Sequence, residues 1–330
     1  MKSCFPLLIM ILLTSCAQVP AVTDTSTLDA DLPTPIKQNI NTADITPNSY
    51  DLGGRILVYT PETVYLANSD GTFPVSIHTI HAPLSMMSLS PDGTNLAYFI
   101  GNYLYVKNIA TGNINTLNQE TMGSIGGQLK YSPDGKKIAL ACSTLSEPTA
   151  SICLIDESGN IEYLVREENI EHKIKPDYFI ELLDWSRDGS KLVFLYYTPS
   201  EKGQKQDFSI YCYDMFSKTT QLILSGQNQN LIFQMRGASI SPDNKTLLIN
   251  GIGENSLFQI FALNMETGNL FQIQLTLNAS LTNPVWSNDN CCFYVHAEQN
   301  DHDQYTVIAN LKGSIIETLS FPGYVIQWVE

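Results

Sequence analysis

One short phrase recurs five times in this chain of 330 residues and limits the possible folds more than any other feature. Its serines lie 42, 54, 55 and 46 residues apart, and each copy stands between two apolar runs. A repeat of this length indicates a propeller, a solenoid or another array of similar units. The copies are Ser90-Pro91-Asp92-Gly93, Ser132-Pro133-Asp134-Gly135, Ser186-Arg187-Asp188-Gly189, Ser241-Pro242-Asp243-Asn244 and Ser287-Asn288-Asp289-Asn290.

Each residue type in this phrase suits one position of a tight turn between two strands. Serine accepts hydrogen bonds at the first position, proline presets the backbone at the second, and aspartate tolerates the third. Glycine or asparagine adopts the left-handed conformation that closes the hairpin. The repeated Ser and Asp residues are therefore predicted to build turns, although five Ser/Asp pairs could also suggest a catalytic array.

A second turn phrase alternates with the first, and each copy follows a strand-like run such as Leu104-Tyr105-Val106. Every repeat then consists of four strands joined by short turns, which is the blade of a β-propeller. The six copies begin at Asn68, Ala110, Glu157, Phe216, Glu266 and Leu311.

The first turn phrase occurs five times and the second six times, so one blade lacks the first phrase. This difference predicts how the ring of blades closes. Tyr324–Trp328 resembles the strands that precede the first phrase, and Trp328 follows Trp286 by one repeat of 42 residues. Near the start, Arg55–Tyr59 resembles the second strand of a blade. We therefore predict six blades, with the last strand completing the first blade and leaving no open edge. The alternative, an eight-stranded sandwich, does not explain the fixed repeat.

The chain resembles the TolB-type propellers, whose repeats are called PD40 or WD40-like. The resemblance lies in the Ser-Pro-Asp-Gly hairpins, in the aromatic or apolar residue before each of them, and in the six-fold count. The resemblance covers residues 52–330 and implies an all-β, six-bladed propeller of four-stranded antiparallel blades. It implies little about activity, because propellers of this kind include receptors, scaffolds, lyases and domains of prolyl peptidases. TolB also carries an α/β domain before its propeller. Residues 17–51 are too short and too polar for such a domain, so TolB's partners are not carried over.

The first 51 residues are predicted to be a lipoprotein signal and a tether. Residues 1–15 contain one lysine and the apolar run Phe5–Leu13, which is too short to span a bilayer. Leu13-Thr14-Ser15-Cys16 resembles the bacterial lipobox, so Cys16 is the predicted site of lipid attachment. An ordinary signal peptide is the alternative. Residues 16–51 would form a flexible tether, and the expected location is the extracytoplasmic side of a membrane, the outer one in a Gram-negative cell.

The charge of the chain argues against two classes of partner. Its formal net charge is −15, while binding to duplex nucleic acid needs clustered lysine and arginine. The same charge disfavours binding of the propeller itself to anionic lipid. Only the lipid on Cys16 is expected to hold the protein to the membrane.

Cysteines outside the signal suggest one disulfide. Cys142 and Cys153 lie on consecutive predicted strands whose hairpin centre falls between Glu147 and Pro148, so they would face each other. Two buried thiols are the alternative. Cys291 and Cys292 are expected to be buried thiols, with a vicinal bond as the alternative.

The sequence contains no motif for a known catalytic centre or cofactor. A Gly-x-Ser-x-Gly elbow, a phosphate-binding loop and His-Glu-x-x-His are all absent. The histidines, His78, His81, His172, His296 and His302, have no metal-ligand spacing. We expect no cofactor, no metal and no catalysis. The alternative is a propeller enzyme, similar to a polysaccharide lyase, with a metal in its channel.

Three long insertions predict where a partner binds. They fall between strands of neighbouring blades on the propeller face opposite the Ser-Pro-Asp-Gly turns, at residues 166–179, 198–208 and 225–236. Long loops on a rigid scaffold often carry binding residues, and these are unusually basic for an acidic protein. We expect this sector to bind a protein or glycan partner, with solvated variable loops as the alternative. The candidate residues are Arg166, His172, Lys173, Lys175, Tyr178, Lys202, Lys205 and Arg236.

Overall fold

The computed structural model describes most of the chain after residue 53. The described ranges are 54–79, 86–117, 123–124, 127–143, 151–166, 179–197, 208–226, 237–252, 257–299, 304–319 and 323–329. They belong to one compact unit, Pro47–Glu330. Within these ranges the chain forms 25 β-strands. No helix there is long and apolar enough to cross a membrane.

The strands form six antiparallel sheets, which confirms the predicted six-bladed propeller. The first three blades, from the innermost strand outward, are as follows. Blade 1 contains β25 (Tyr324–Val329), β1 (Arg55–Tyr59), β2 (Thr63–Asn68) and β3 (Val75–Thr79). Blade 2 contains β4 (Met87–Leu89), β5 (Asn95–Ile100), β6 (Tyr103–Asn108) and β7 (Ile114–Thr116). Blade 3 contains the split strand β8 (Gly123–Ser124) and β9 (Lys130–Tyr131), then β10 (Lys137–Ser143), β11 (Ser151–Asp156) and β12 (Ile161–Arg166).

The remaining blades repeat this order. Blade 4 contains β13 (Phe179–Trp185), β14 (Lys191–Tyr197), β15 (Phe208–Asp214) and β16 (Thr219–Ser225). Blade 5 contains β17 (Ala238–Ile240), β18 (Thr246–Ile252), β19 (Phe258–Asn264) and β20 (Leu270–Gln272). Blade 6 contains β21 (Ser280–Trp286), β22 (Phe293–Glu298), β23 (Gln304–Ala309) and β24 (Ile315–Leu319).

The ring closes as predicted, by one strand from the end of the chain and three from the start. Strand β25 pairs antiparallel with β1, with Val329 opposite Arg55 and Tyr324 opposite Tyr59. The innermost strand of blade 1 is thus the last strand of the sequence. This pairing removes the open edge that β1 would otherwise present.

The Ser-Pro-Asp-Gly turns are held by the same hydrogen bonds in every copy. In the first turn, the Ser90 hydroxyl donates to Asp92 at 2.5 Å and accepts the Asn95 N–H at 2.9 Å. Gly93 has φ +71° and Asn244, at the matching place in blade 5, has φ +60°. The serine hydroxyls and aspartates are therefore occupied within their own turns, which supports the structural interpretation.

The core consists of six apolar clusters, each between two adjacent blades. Central strands such as β10 and β22 are buried on both faces, because each blade packs against a neighbour on either side. Trp185, Trp286 and Trp328 occupy equivalent places on inner strands, and each packs against the preceding blade. The repeated tryptophans thus mark the junctions between blades.

Blade 3 differs from the others at its inner strand. Between β8 and β9 the chain leaves its own sheet, and Gly127 forms a parallel bridge with Leu182 of blade 4. Gly127 has φ +86°, and a Cβ atom there would lie 2.8 Å from the Leu182 N and O atoms. Only glycine fits this close approach.

Candidate functional site: the central channel

The structure describes little of the basic sector predicted to bind a partner. Arg166 ends β12, and the other seven candidates, His172, Lys173, Lys175, Tyr178, Lys202, Lys205 and Arg236, lie outside the described residues. The described strands that flank the three insertions are β12 and β13, β14 and β15, and β16 and β17, which belong to blades 3, 4 and 5. Cys16 also lies outside the described residues. The sector and the lipid site stay predictions.

The predicted pairing of Cys142 and Cys153 needs one correction. The register places Cys142 opposite Ser151 and Cys153 opposite Leu140, so the two cysteines are diagonal neighbours and do not face each other directly. Cys142 is thus paired with a residue two positions before the predicted one. Their sulfur atoms are within bonding distance and their Cα atoms are 6.0 Å apart, which lies in the range of disulfides. The disulfide itself stays a prediction.

A ring of equivalent positions surrounds the channel that the six blades enclose. In blades 2 to 6, the residue two positions before the turn serine lines the channel. In blade 1, Val329 stands where the other blades have the serine, and Gln327, two positions earlier, takes the equivalent place. All six residues line a cavity of about 250 Å³ at the end of the channel nearest the turns. We call them the channel ring: Ser88, Lys130, Asp184, Ser239, Val285 and Gln327.

Members of the channel ring bind the neighbouring blade through one recurring contact. The side chain accepts the backbone N–H of the residue before the serine in the next blade's turn. Gln327 accepts from Leu89 at 2.9 Å, and Ser88 accepts from Tyr131 at 3.2 Å. Asp184 accepts from Ile240 at 2.7 Å. In the same way, Ser239 accepts from Trp286 at 3.1 Å. These contacts tie together blades 1–2, 2–3, 4–5 and 5–6.

Two junctions differ from this pattern. Lys130 cannot accept a hydrogen bond, and it forms an ion pair of 3.0 Å with Asp184 between blades 3 and 4. Val285, at the junction of blades 6 and 1, has an apolar side chain and packs in the cluster between these blades. Sequence reasoning missed the channel ring, although aligning the five repeats on their serines would have shown polar residues at four of the five equivalent positions.

A second cavity of about 380 Å³ lies at the other end of the channel, where the inner strands begin. All six blades contribute to its lining, most of the lining residues are apolar, and Gln128, Glu181 and Asn283 are among the polar ones. Its size is that of a site for a small ligand or a few side chains. The apolar lining includes Tyr59, Met86, Met87, Leu129, Leu182, Leu183, Pro284, Val285, Tyr324 and Ile326.

Glu181 is the acidic group among the residues that line this cavity. Burial raises the pKa of its carboxyl, and the Tyr197 hydroxyl, which donates to it at 2.7 Å, partly opposes that shift. Tyr59 and Tyr324 stack beside each other with ring centroids 5.8 Å apart. The cavity can therefore receive apolar groups and offers one carboxyl to a hydrogen-bond donor.

The described histidines form no metal cluster. His78 lies in strand β3, and its ring contacts that of Tyr98 in a tilted arrangement with ring centroids 4.7 Å apart. His296 is buried in β22 against Tyr324 at 4.4 Å. Burial lowers the pKa of His296 to about 4. His81, His172 and His302 are outside the described residues. The described residues thus provide no ligand set for the metal that a channel lyase would need.

Comparison with known proteins identifies the fold only. No family model matches the sequence, and no curated protein does either. TolB from Acinetobacter baumannii superimposes with a TM-score of 0.61 at 20% identity, over 85% of this chain and 67% of that chain. A candidate TolB from Agrobacterium tumefaciens gives a TM-score of 0.60 at 17% identity, over 83% and 94%.

A third solved structure, of a nidogen/laminin complex, contains a chain that superimposes with a TM-score of 0.58 at 10% identity, over 84% of this chain and 98% of that chain. Such distant likenesses occur between proteins of different function on one architecture. The fold of this chain is therefore a TolB-like six-bladed β-propeller.

Proposed function

We propose that this chain is a non-catalytic, lipid-anchored, extracytoplasmic binding protein whose propeller takes a partner protein on its loop-rich face. The cavity of about 380 Å³ at that end of the channel carries the proposal, because all six blades contribute to it. A mainly apolar cavity with a few polar groups is the usual form of a binding site. We infer that an apolar segment of the partner enters the cavity.

The basic insertions support the same face. Two of them, 166–179 and 225–236, lead in sequence to the inner strands β13 and β17, and on a chain of net charge −15 the basic residues of the insertions favour an acidic segment of the partner. The partner would then combine apolar side chains for the cavity with acidic residues for the rim. A glycan is the second candidate, since the stacked Tyr59 and Tyr324 offer aromatic faces.

The binding proposal is tested by crosslinking in cells followed by capture of the full chain. Met87→Glu and Ile326→Glu each put a charge into the cavity. The triple variant Lys173→Glu, Lys175→Glu and Arg236→Glu reverses the charge of the rim. All three variants should lose the partner. Lys136→Glu, an exposed change on the opposite face, is the matched control and should retain it. Equal capture by all variants would contradict the proposal.

The anchor is tested separately with Cys16→Ser. We expect this variant to leave the membrane fraction and to lack the mass of the lipid, because the acylated sulfur no longer exists. An unchanged membrane fraction would exclude the lipid anchor without affecting the proposed binding face. Metal analysis of the purified chain addresses the enzyme alternative, which requires a stoichiometric ion in the channel.

A further inference from the structure

Two adjacent cysteines and an aspartate meet at the turn between β21 and β22 of blade 6. The Cys291 and Cys292 sulfur atoms are 3.0 Å apart. A carboxylate oxygen of Asp289 and both sulfurs all lie within 4.8 Å of one another. Among the described residues, no other group of three histidine, cysteine or acidic side chains has its ligand atoms within this distance of one another. None of the three lines a channel cavity.

The other four turns show that the fold does not need these thiols. Cys291 and Cys292 take the two positions after the turn, which are polar and free of cysteine in every other copy. The backbone contacts are nevertheless the same, since Asp289 accepts the Cys291 N–H at 3.1 Å and Ser287 accepts the Cys292 N–H at 3.2 Å. The equivalent pairs are Thr94-Asn95, Lys136-Lys137, Ser190-Lys191 and Lys245-Thr246.

The group is accessible and its carboxylate is oriented. Cys292 is buried as expected, but the expectation of a buried thiol is wrong for Cys291, which is exposed, as is Asp289. The Ser287 hydroxyl donates to Asp289 Oδ1 at 2.7 Å and so fixes the carboxylate beside the sulfurs. An ion from solvent can therefore reach Asp289 and Cys291 without entering the propeller, and the buried Cys292 sulfur lies 3.0 Å from that of Cys291.

We propose that Asp289, Cys291 and Cys292 bind one thiophilic d¹⁰ cation, such as Cu(I) or Cd²⁺. Two thiolates favour soft cations over Mg²⁺ or Ca²⁺, which prefer oxygen ligands. Each thiol gives up its proton when it binds, so binding releases about two protons per ion. Binding therefore strengthens as pH rises.

The test uses the full chain, reduced and then freed of reductant, with Cd²⁺ as the probe. We expect one Cd²⁺ per chain beyond the background of the variants, a Cd–thiolate charge-transfer band in the ultraviolet, and uptake that weakens on acidification. Cys291→Ser and Cys292→Thr should each lose this ion. These changes place at the site the residues found at the matching positions, Ser190 and Thr246, so the turn should fold normally.

Cys212→Ser is the matched control, because it removes a thiol elsewhere and should keep the ion. Equal Cd²⁺ binding by the wild type, Cys291→Ser and Cys292→Thr would overturn the proposal. A Cys291–Cys292 disulfide that persists in the folded chain under reductant would overturn it as well. Because Cys291 and Cys292 do not line the channel cavities, an ion that is lost with these two substitutions is not a channel metal. Neither outcome of this test changes the proposed binding function.

Discussion

Arg187 of blade 4 donates hydrogen bonds to the Asn288 side chain and to the Trp286 carbonyl of blade 6, reaching past blade 5. Arg187 and Asn288 occupy the position that proline holds in the other three turns. The two departures from the repeated phrase therefore contact each other beside the cavity of about 250 Å³. A proline at either place would fit the turn but could not make this contact.

This relationship predicts an energetic coupling between the two turns. Arg187→Ala and Asn288→Ala should each lower the free energy of unfolding slightly, and the double variant should lose less than their sum. Because the pair is near the surface, a coupling of about 0.5–1 kcal/mol is expected. Urea unfolding of the four proteins measures it, and full additivity would show that the contact contributes nothing.

Asp184 should be the most sensitive member of the channel ring. Its carboxylate pairs with Lys130 at 3.0 Å and accepts the buried Ile240 N–H at 2.7 Å. Asp184→Ala leaves the partly buried Lys130 ammonium and the buried Ile240 N–H without their partner, at a cost of about 3 kcal/mol. Asp184→Asn retains an acceptor for Ile240 and should cost less. Equal unfolding midpoints for the two variants would show that the hydrogen bond to Ile240 has no role.

Gln327 tests the closure of the ring. Its amide oxygen accepts from Ser88 and Leu89, and its Nε2 donates to the Leu89 carbonyl at 2.8 Å. Gln327→Glu keeps the shape but replaces the donor with an acceptor that faces this carbonyl. We expect a loss of about 1–3 kcal/mol at neutral pH, and a smaller loss in acid, where the carboxyl can donate. Thermal unfolding at both pH values measures it, and a loss that does not depend on pH would contradict this account.

His296 predicts a loss of stability in acid. Its pKa falls from an ordinary 6.5 to about 4, mainly through burial. The unfolded chain therefore binds a proton between these values while the folded chain does not, and stability decreases as pH falls from 6.5 to 4. The loss should reach about 3 kcal/mol. His296→Phe cannot titrate, so its free energy of unfolding should vary less over this range, and parallel curves would contradict the prediction.

The cysteine pair on β10 and β11 gives a covalent test. If Cys142 and Cys153 are joined, the folded chain purified without reductant should leave both unlabelled by a thiol reagent after denaturation. Cys142→Ser combined with Cys153→Ser should then cost about 2–3 kcal/mol for a loop of this size, with a sequence separation of 11 residues. Labelling of both cysteines would identify them as thiols.

The blades could be predicted because their causes are local. Each turn phrase fixes a hairpin through contacts between residues no more than five positions apart, as Ser90 and Asn95 show. The diagonal placement of Cys142 and Cys153 could not be fixed in this way. Their register depends on where the hairpin centre falls, and a shift of one residue changes every pair.

By itself, the sequence determined the six blades and the closing strand, because turn chemistry and the repeat length act within single segments. Only the tertiary structure decided what meets around the axis. The channel ring joins residues as distant as Ser88 and Gln327, and Arg187 finds Asn288 across 101 positions. Such contacts depend on the rotation and approach of whole blades, which no single repeat encodes. The repeated phrase specifies the turn, and the departures from that phrase acquire their roles only once the ring has closed.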